Sequence, residues 1–294
     1  MGPLMQRAVA RVRRRATVLL AAALTAAAFT GAPAAQERGA FIDLPDVRLW
    51  VVDTGGSGDP VVLLHPNTGT VEVWKKQIPA LVAAGYRVIA FDRPGWGRST
   101  AQPGATPLSV AEDLDVLADR LGLGRFALVG VAGGGYIALD YAAWRPERVR
   151  SLVIANSGLG LKNNAEGDAF RRNSAIPDFH KLPAEVREMS PTYRGLNPEG
   201  VKAWKAIQSK AKQPGAPDHA LRTPNTLEKV AAIAMPVLVV AGDVDLTTPS
   251  GAMRLWARSL KHYDWLLVPE AGHALPWEQP DVFNAAVIDF LRKH

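Results

Sequence analysis

The chain has 294 residues, with 34 Lys+Arg against 28 Asp+Glu, 48% apolar residues and no cysteine. That length and balance suit one large α/β domain and exclude disordered, collagenous and coiled-coil chains, and the missing thiol excludes disulfide scaffolds, cysteine zinc sites and a cysteine nucleophile. The formal net charge of +6 belongs to the N-terminus: Arg7, Arg11, Arg13, Arg14 and Arg15 lie among 34 residues that contain no acid, and without them bases and acids nearly balance, so no nucleic-acid surface is expected.

Residues 1–34 have the three parts of a secretory signal. An arginine-rich stretch runs to Arg15, an apolar run covers 16–29, and small residues end in Ala32-Pro33-Ala34. The apolar run is shorter than the ~20 residues a membrane span needs. The sequence thus predicts a removed signal peptide and an exported protein, periplasmic or secreted, with no stable membrane span.

From residue 41 strand-like and helix-like segments alternate. Residues 41–44 and 47–53 read as an antiparallel pair at one edge. Short apolar, β-branched runs follow at 61–65, 88–91, 126–129, 152–155, 237–241 and 265–268. Helical periodicity covers 71–84, 109–121, 136–144, 250–260 and 280–292. This pattern predicts a mostly parallel sheet with helices on both faces. Residues 157–230 contain no convincing strand, but a helical stretch near 200–212 carries Trp204 and Ile207. So long a loop without structure is improbable in a compact domain. A helical lid is therefore expected over 157–230, inserted into a core of 35–156 and 231–294.

Five loops follow predicted strands directly. His65-Pro66-Asn67-Thr68-Gly69-Thr70 follows the first of the parallel strands, where backbone N–H groups can meet a developing negative oxygen. Asn67 is the candidate donor, because Pro66 has no N–H. Asp92-Arg93-Pro94-Gly95-Trp96-Gly97-Arg98-Ser99 reads as scaffold.

Gly130-Val131-Ala132-Gly133-Gly134-Gly135, between a strand and a helix, resembles the nucleophile elbow of the α/β-hydrolase fold, Gly-x-Ser-x-Gly. The resemblance extends to Gly242-Asp243-Val244-Asp245-Leu246-Thr247-Thr248-Pro249. That loop is similar to the family's acid-bearing segment and implies Asp245 as the acid, with Asp243 the runner-up. It extends also to Pro269-Glu270-Ala271-Gly272-His273-Ala274, similar to the loop presenting the catalytic imidazole, which implies His273. Elbow, acid and histidine occur in the family's chain order over residues 41–294. Gly133 N–H, at a helix N-terminus, is implied as the second oxyanion donor. His180 and His219, in the expected lid, read as bystanders.

Two positions depart from the family pattern. Pro66 stands where a glycine is usual, and Ala132 stands where the family has its serine. A methyl cannot attack a carbonyl, so no acyl-enzyme forms. Three readings stay open. One is an enzyme acting on a small-molecule ester or carbonyl substrate with a His273–Asp245 dyad as general base. The second is an esterase-like serine hydrolase inactivated by Ser-to-Ala replacement at 132. The third is a non-catalytic small-molecule binding protein. Trp74, Trp96, Trp204 and Trp277 are candidate pocket walls. No metal-binding, Walker or dinucleotide motif occurs, so neither a metal nor another cofactor is expected.

Overall fold

Short, continuously apolar strands need cover on both faces, and the intervening helices supply it. The computed structural model describes residues 39–102, 109–216 and 220–294; the expected signal peptide lies outside them. The strands are β1 (Gly39–Asp43), β2 (Val47–Asp53), β3 (Pro60–Leu64), β4 (Arg87–Phe91), β5 (Thr100–Ala101), β6 (Phe126–Val131), β7 (Val149–Ala155), β8 (Val237–Gly242) and β9 (Tyr263–Val268). They form one sheet in the order β1-β2-β4-β3-β6-β7-β8-β9, with β5 added against β2. All pairs from β4 across to β9 are parallel. The antiparallel edge places Phe41 opposite Trp50 and Val51 opposite Phe91.

The helices are α1 (Gln77–Ala83), α2 (Val110–Arg120), α3 (Gly133–Trp144), α4 (Ala165–Asn173), α5 (Ala184–Glu188), α6 (Pro191–Leu196), α7 (Pro198–Gln208), α8 (Leu227–Ala232), α9 (Ser250–Ala257), α10 (Leu275–Glu278) and α11 (Pro280–Lys293). Alternate strand residues face opposite layers. Val62 and Leu64 of β3 join Leu114 and Leu117 of α2, Ile137 and Tyr141 of α3, and Trp256 of α9. Val61 and Leu63 join Ile78 and Leu81 of α1 and Phe283, Val287 and Phe290 of α11. Because β3, β6, β7, β8 and β9 run in one direction, the loops that follow them emerge along one edge of the sheet.

Two local departures from the sequence pattern have physical causes. Residues 71–84 are not one helix but a 3₁₀ turn, Val71–Trp74, followed by α1. Pro79 explains the break, since its ring would clash with the carbonyl four residues back at Lys75. Conversely, α3 starts at Gly133 rather than Tyr136. Glycine is a poor helix former, but a Cβ at Gly134 would run into the Leu64 carbonyl oxygen. Close contact between α3 and β3 therefore selects glycine over propensity.

Between β7 and β8 lie α4 to α8 and no named strand among the described residues. This segment is tied to the core loops. Gly97 N–H donates to Ala211 O at 2.8 Å and Ala274 N–H to Glu188 O at 2.7 Å. The Gln213 side-chain amide donates to Ser99 O at 3.0 Å.

The α3–β3 contact yields a stability prediction. Gly134→Ala is expected to cost about 1–3 kcal/mol by overpacking, read as a lower guanidinium midpoint at unchanged m-value. Gly124→Ala, where an added methyl meets nothing within 4 Å, is expected to stay within about 0.5 kcal/mol of the parent.

Candidate active site

The loop after β6 turns sharply into α3, and Ala132 sits at its apex with φ +50° and ψ −114°. A residue with a Cβ in that region stores about 1–3 kcal/mol of strain unless its surroundings hold it. Here they do. Ala132 N–H donates to Ala155 O at 3.0 Å, and its carbonyl accepts from Gly135 N–H at 3.0 Å. The same carbonyl accepts the Ser157 hydroxyl at 2.7 Å. Ser157, which reading along the chain had passed over, is fully buried and has its proton committed to the elbow. The Ala132 methyl belongs to the buried apolar cluster that contains Trp74, Trp204 and Trp277.

The loops after β8 and β9 bring Asp245 and His273 together. Asp245 Oδ2 lies 2.8 Å from His273 Nδ1, and both side chains are buried. Every carboxylate oxygen is occupied. Oδ1 accepts from Thr247 N–H at 2.8 Å and Thr248 N–H at 2.7 Å. Oδ2 also accepts from Asn156 Nδ2 at 2.7 Å, and that amide further donates to Gly272 O at 3.0 Å. Sequence reading missed Asn156. Its sequence signal was slight, an Asn directly after a strand-like run; the structure holds it in the left-handed region at φ +47°, which Asn tolerates better than most residues. Asp243, the runner-up acid, instead accepts from Glu270 N–H at 2.7 Å and braces the histidine loop.

Burial alone would lower the His273 pKa, but the carboxylates of Asp245, Glu188 and Glu278 outweigh it and push it up from 6.5 to about 9. Glu278 also clamps the loop, accepting from Gly272 N–H at 3.1 Å and Ser190 N–H at 2.9 Å. Burial pushes its own pKa up.

The turn after β3 is rigidified from beneath. His65 Nε2 accepts from Arg93 N–H at 3.1 Å, which leaves Nδ1 to donate to Pro66 O at 2.8 Å. Arg93 Nη2 reaches Asn67 Oδ1 at 3.0 Å. A Cβ at Gly133 would collide with that same oxygen, so the two residues expected to offer oxyanion N–H groups are neighbours. Gly133 is the first residue of α3, where an N–H has no acceptor within its own helix. Trp96 does not line the cavity beside the imidazole. Its indole N–H donates to Asn67 O at 2.8 Å, bracing the turn.

Trp74, Trp204 and Trp277 do line that cavity, with Val131, Thr68, Glu188 and His273. Its volume is about 20 Å³. Trp74 Nε1 is buried and has no acceptor among the described residues. An open groove of about 1020 Å³ lies alongside, lined by Trp50, Val71, Ile78, Ala203, Ala206 and Ile207 among others. His180 is exposed, and His219 lies outside the described residues. Among the described residues no group of three or more acidic or histidine side chains is placed to hold a metal ion, and no helix is long and apolar enough to cross a membrane.

Comparison with known proteins agrees with this architecture. Residues 59–280 match a family model described as alpha/beta hydrolase fold. The protein BpoC of Mycobacterium tuberculosis is 31% identical over 253 residues, covering 81% of this chain and 96% of its own. A Burkholderia vietnamiensis protein named 2-hydroxy-6-oxononadienedioate/2-hydroxy-6-oxononatrienedioate hydrolase is 29% identical over 279 residues, 85% of this chain and 93% of its own. A thermophilic esterase from Thermogutta terrifontis superposes with a TM-score of 0.72 at 28% identity, covering 87% of this chain and 98% of its own.

The His273 environment predicts two linked outcomes. In an NMR titration the imidazole is expected to hold its proton to about pH 9, and Asp245→Asn to lower that value. Because the folded pKa lies above 6.5, the associated stability is fully present below that pH and is lost as pH rises through about 9. Denaturant midpoints measured between those limits should fall in the parent and much less in Asp245→Asn.

Proposed function

This chain belongs to the α/β-hydrolase family, and from that premise we propose that it is an exported hydrolase-type enzyme that works without a serine nucleophile. Its substrate is a small-molecule ester or related carbonyl compound. His273, oriented by Asp245, is the general base that activates water once its imidazole gives up its proton toward pH 9, and the N–H groups of Asn67 and Gly133 receive the developing oxyanion. The observation that carries this reading is the buried 2.8 Å contact between His273 and a fully hydrogen-bonded Asp245, on the edge where the elbow carries only a methyl. Of the three named relatives, the hydrolase and the esterase support the coarse class.

Residues 157–230 act as the lid in this reading. A cavity of about 20 Å³ is far below the ~300–1,000 Å³ of small-molecule pockets. Trp204 of α7 faces the cavity, and Ala203, Ala206 and Ile207 of the same helix face the open groove. Displacement of α7 would join the two spaces and admit a substrate.

One observation favours a second reading, a serine hydrolase silenced at position 132. The elbow keeps the strained φ of +50° that serves to present a nucleophile, although alanine has nothing to present.

Three proteins assayed on one ester, lactone and epoxide panel separate these readings. The parent is expected to hydrolyse at least one ester, and His273→Ala to reduce that rate by about 10²–10⁴-fold. An inert parent joined to an active Ala132→Ser would establish the silenced serine hydrolase instead.

A further inference from the structure

The cavity beside His273 contains a carboxylate with no part in the mechanism above. Glu188 closes α5 and is 6% exposed. It lines the cavity together with His273 and Thr68. Its carbonyl accepts from Ala274 N–H at 2.7 Å, so the backbone beside the imidazole is bonded to the backbone that carries this carboxylate. Thr68, from the turn after β3, lines the same cavity and favours the charged form of the carboxyl. The lid segment, the histidine loop and the oxyanion turn therefore meet at one acidic side chain.

The volume enclosed there has a chemical meaning. About 20 Å³ is what one water molecule needs, provided two or more polar partners are within reach. Thr68, Glu188 and His273 are polar partners on its wall, and the unsatisfied indole N–H of Trp74 belongs to another wall residue. A buried carboxylate is costly unless it has hydrogen-bonding work to do, and a water at this point gives it some.

We propose that Glu188 is a second general base of this site, taking the proton from a water held in the cavity between its carboxylate and the His273 ring. The proposal rests on the water-hydrolysis reading given above. It allows hydrolysis at neutral pH, where His273, with its pKa pushed up to about 9, is available as an acid. The water oxygen forms its bond to the ester carbonyl carbon as a water proton passes to Glu188. The bond from that carbon to the leaving oxygen then breaks, and the leaving oxygen takes the His273 proton. Transfer of the proton from Glu188 to His273 restores the starting state, so one ester and one water give one acid and one alcohol.

The charged groups around the pair suit this division. Asp245 and Glu278 stand against His273 and stabilise its cation. Glu188 faces His273, Asp245 and its chain neighbour Arg187, and burial pushes its pKa up from the ordinary carboxylate value, which makes it a stronger base.

The test is the pH dependence of p-nitrophenyl acetate hydrolysis, with NMR titration of His273, in the parent, Glu188→Gln and Glu188→Asp. Glu188→Gln is expected to lose about 10²–10³-fold in kcat/KM near pH 7. It should approach the parent near pH 10, where the neutral imidazole takes over as base, and its His273 pKa should fall. Glu188→Asp should keep the parent's neutral-pH activity in part, which separates loss of the base from loss of fold. A Glu188→Gln profile that superposes on the parent's, or an unchanged His273 pKa, overturns this proposal and leaves the His273 dyad standing. A parent whose hydrolysis is untouched by His273→Ala, or absent, overturns the dyad and this proposal together.

Discussion

A carboxylate withdrawn from water is tolerated only when both of its oxygens are occupied, and the end of the sheet is organised around meeting that requirement for Asp245. Its partners come from three loops: Thr247 and Thr248 from its own, Asn156 from the loop after β7, and His273 from the loop after β9. Asn156 spans from the acid to the Gly272 carbonyl beside the histidine. Removing the charge would leave several buried donors without acceptors, so the acid is a structural keystone of these loops as well as a partner for the imidazole. Glu278 repeats the device one layer out, joining the histidine loop to Ser190.

The elbow shows the opposite economy. Ala132 keeps a backbone conformation that costs energy, and the hydrogen bonds from Gly135 and Ser157 hold it there. In a serine enzyme that strain presents a nucleophile; here it presents a methyl to a buried apolar cluster. Glycines that admit close contact with β3 and Asn67 make the conformation a property of the surrounding packing as well as of the apex residue.

The segment between β7 and β8 forms part of the cavity wall. It contributes Glu188 and Trp204 to the cavity wall, and the Glu188 carbonyl is bonded to the residue following His273. The position of this segment therefore bears on the electrostatics of His273. Moving α5 away would remove one of the carboxylates that stabilise the imidazolium and return His273 toward its ordinary basicity.

Much of this was legible in the chain. Apolar runs of strand length, each followed by a loop of Gly, Pro, Asp or His, determined the layered architecture, because a doubly covered strand leaves no other pattern. The same runs placed Ala132, Asp245 and His273 at strand ends, and chain order tied them to one family. The sequence did not reveal Asn156, Ser157, Glu188 or Glu278, because ordinary polar residues acquire roles there only by meeting partners far away in the chain. Asn156 is 89 residues from Asp245. Trp96 and Trp204 read alike as candidate walls, yet one braces a turn and the other faces the cavity. The raised pKa of His273 was likewise beyond reach, since it depends on how many carboxylates share its burial. Local pattern determined which elements form and where their loops emerge; the distances between those loops, the size of the cavity and the charge on the imidazole were decided by packing.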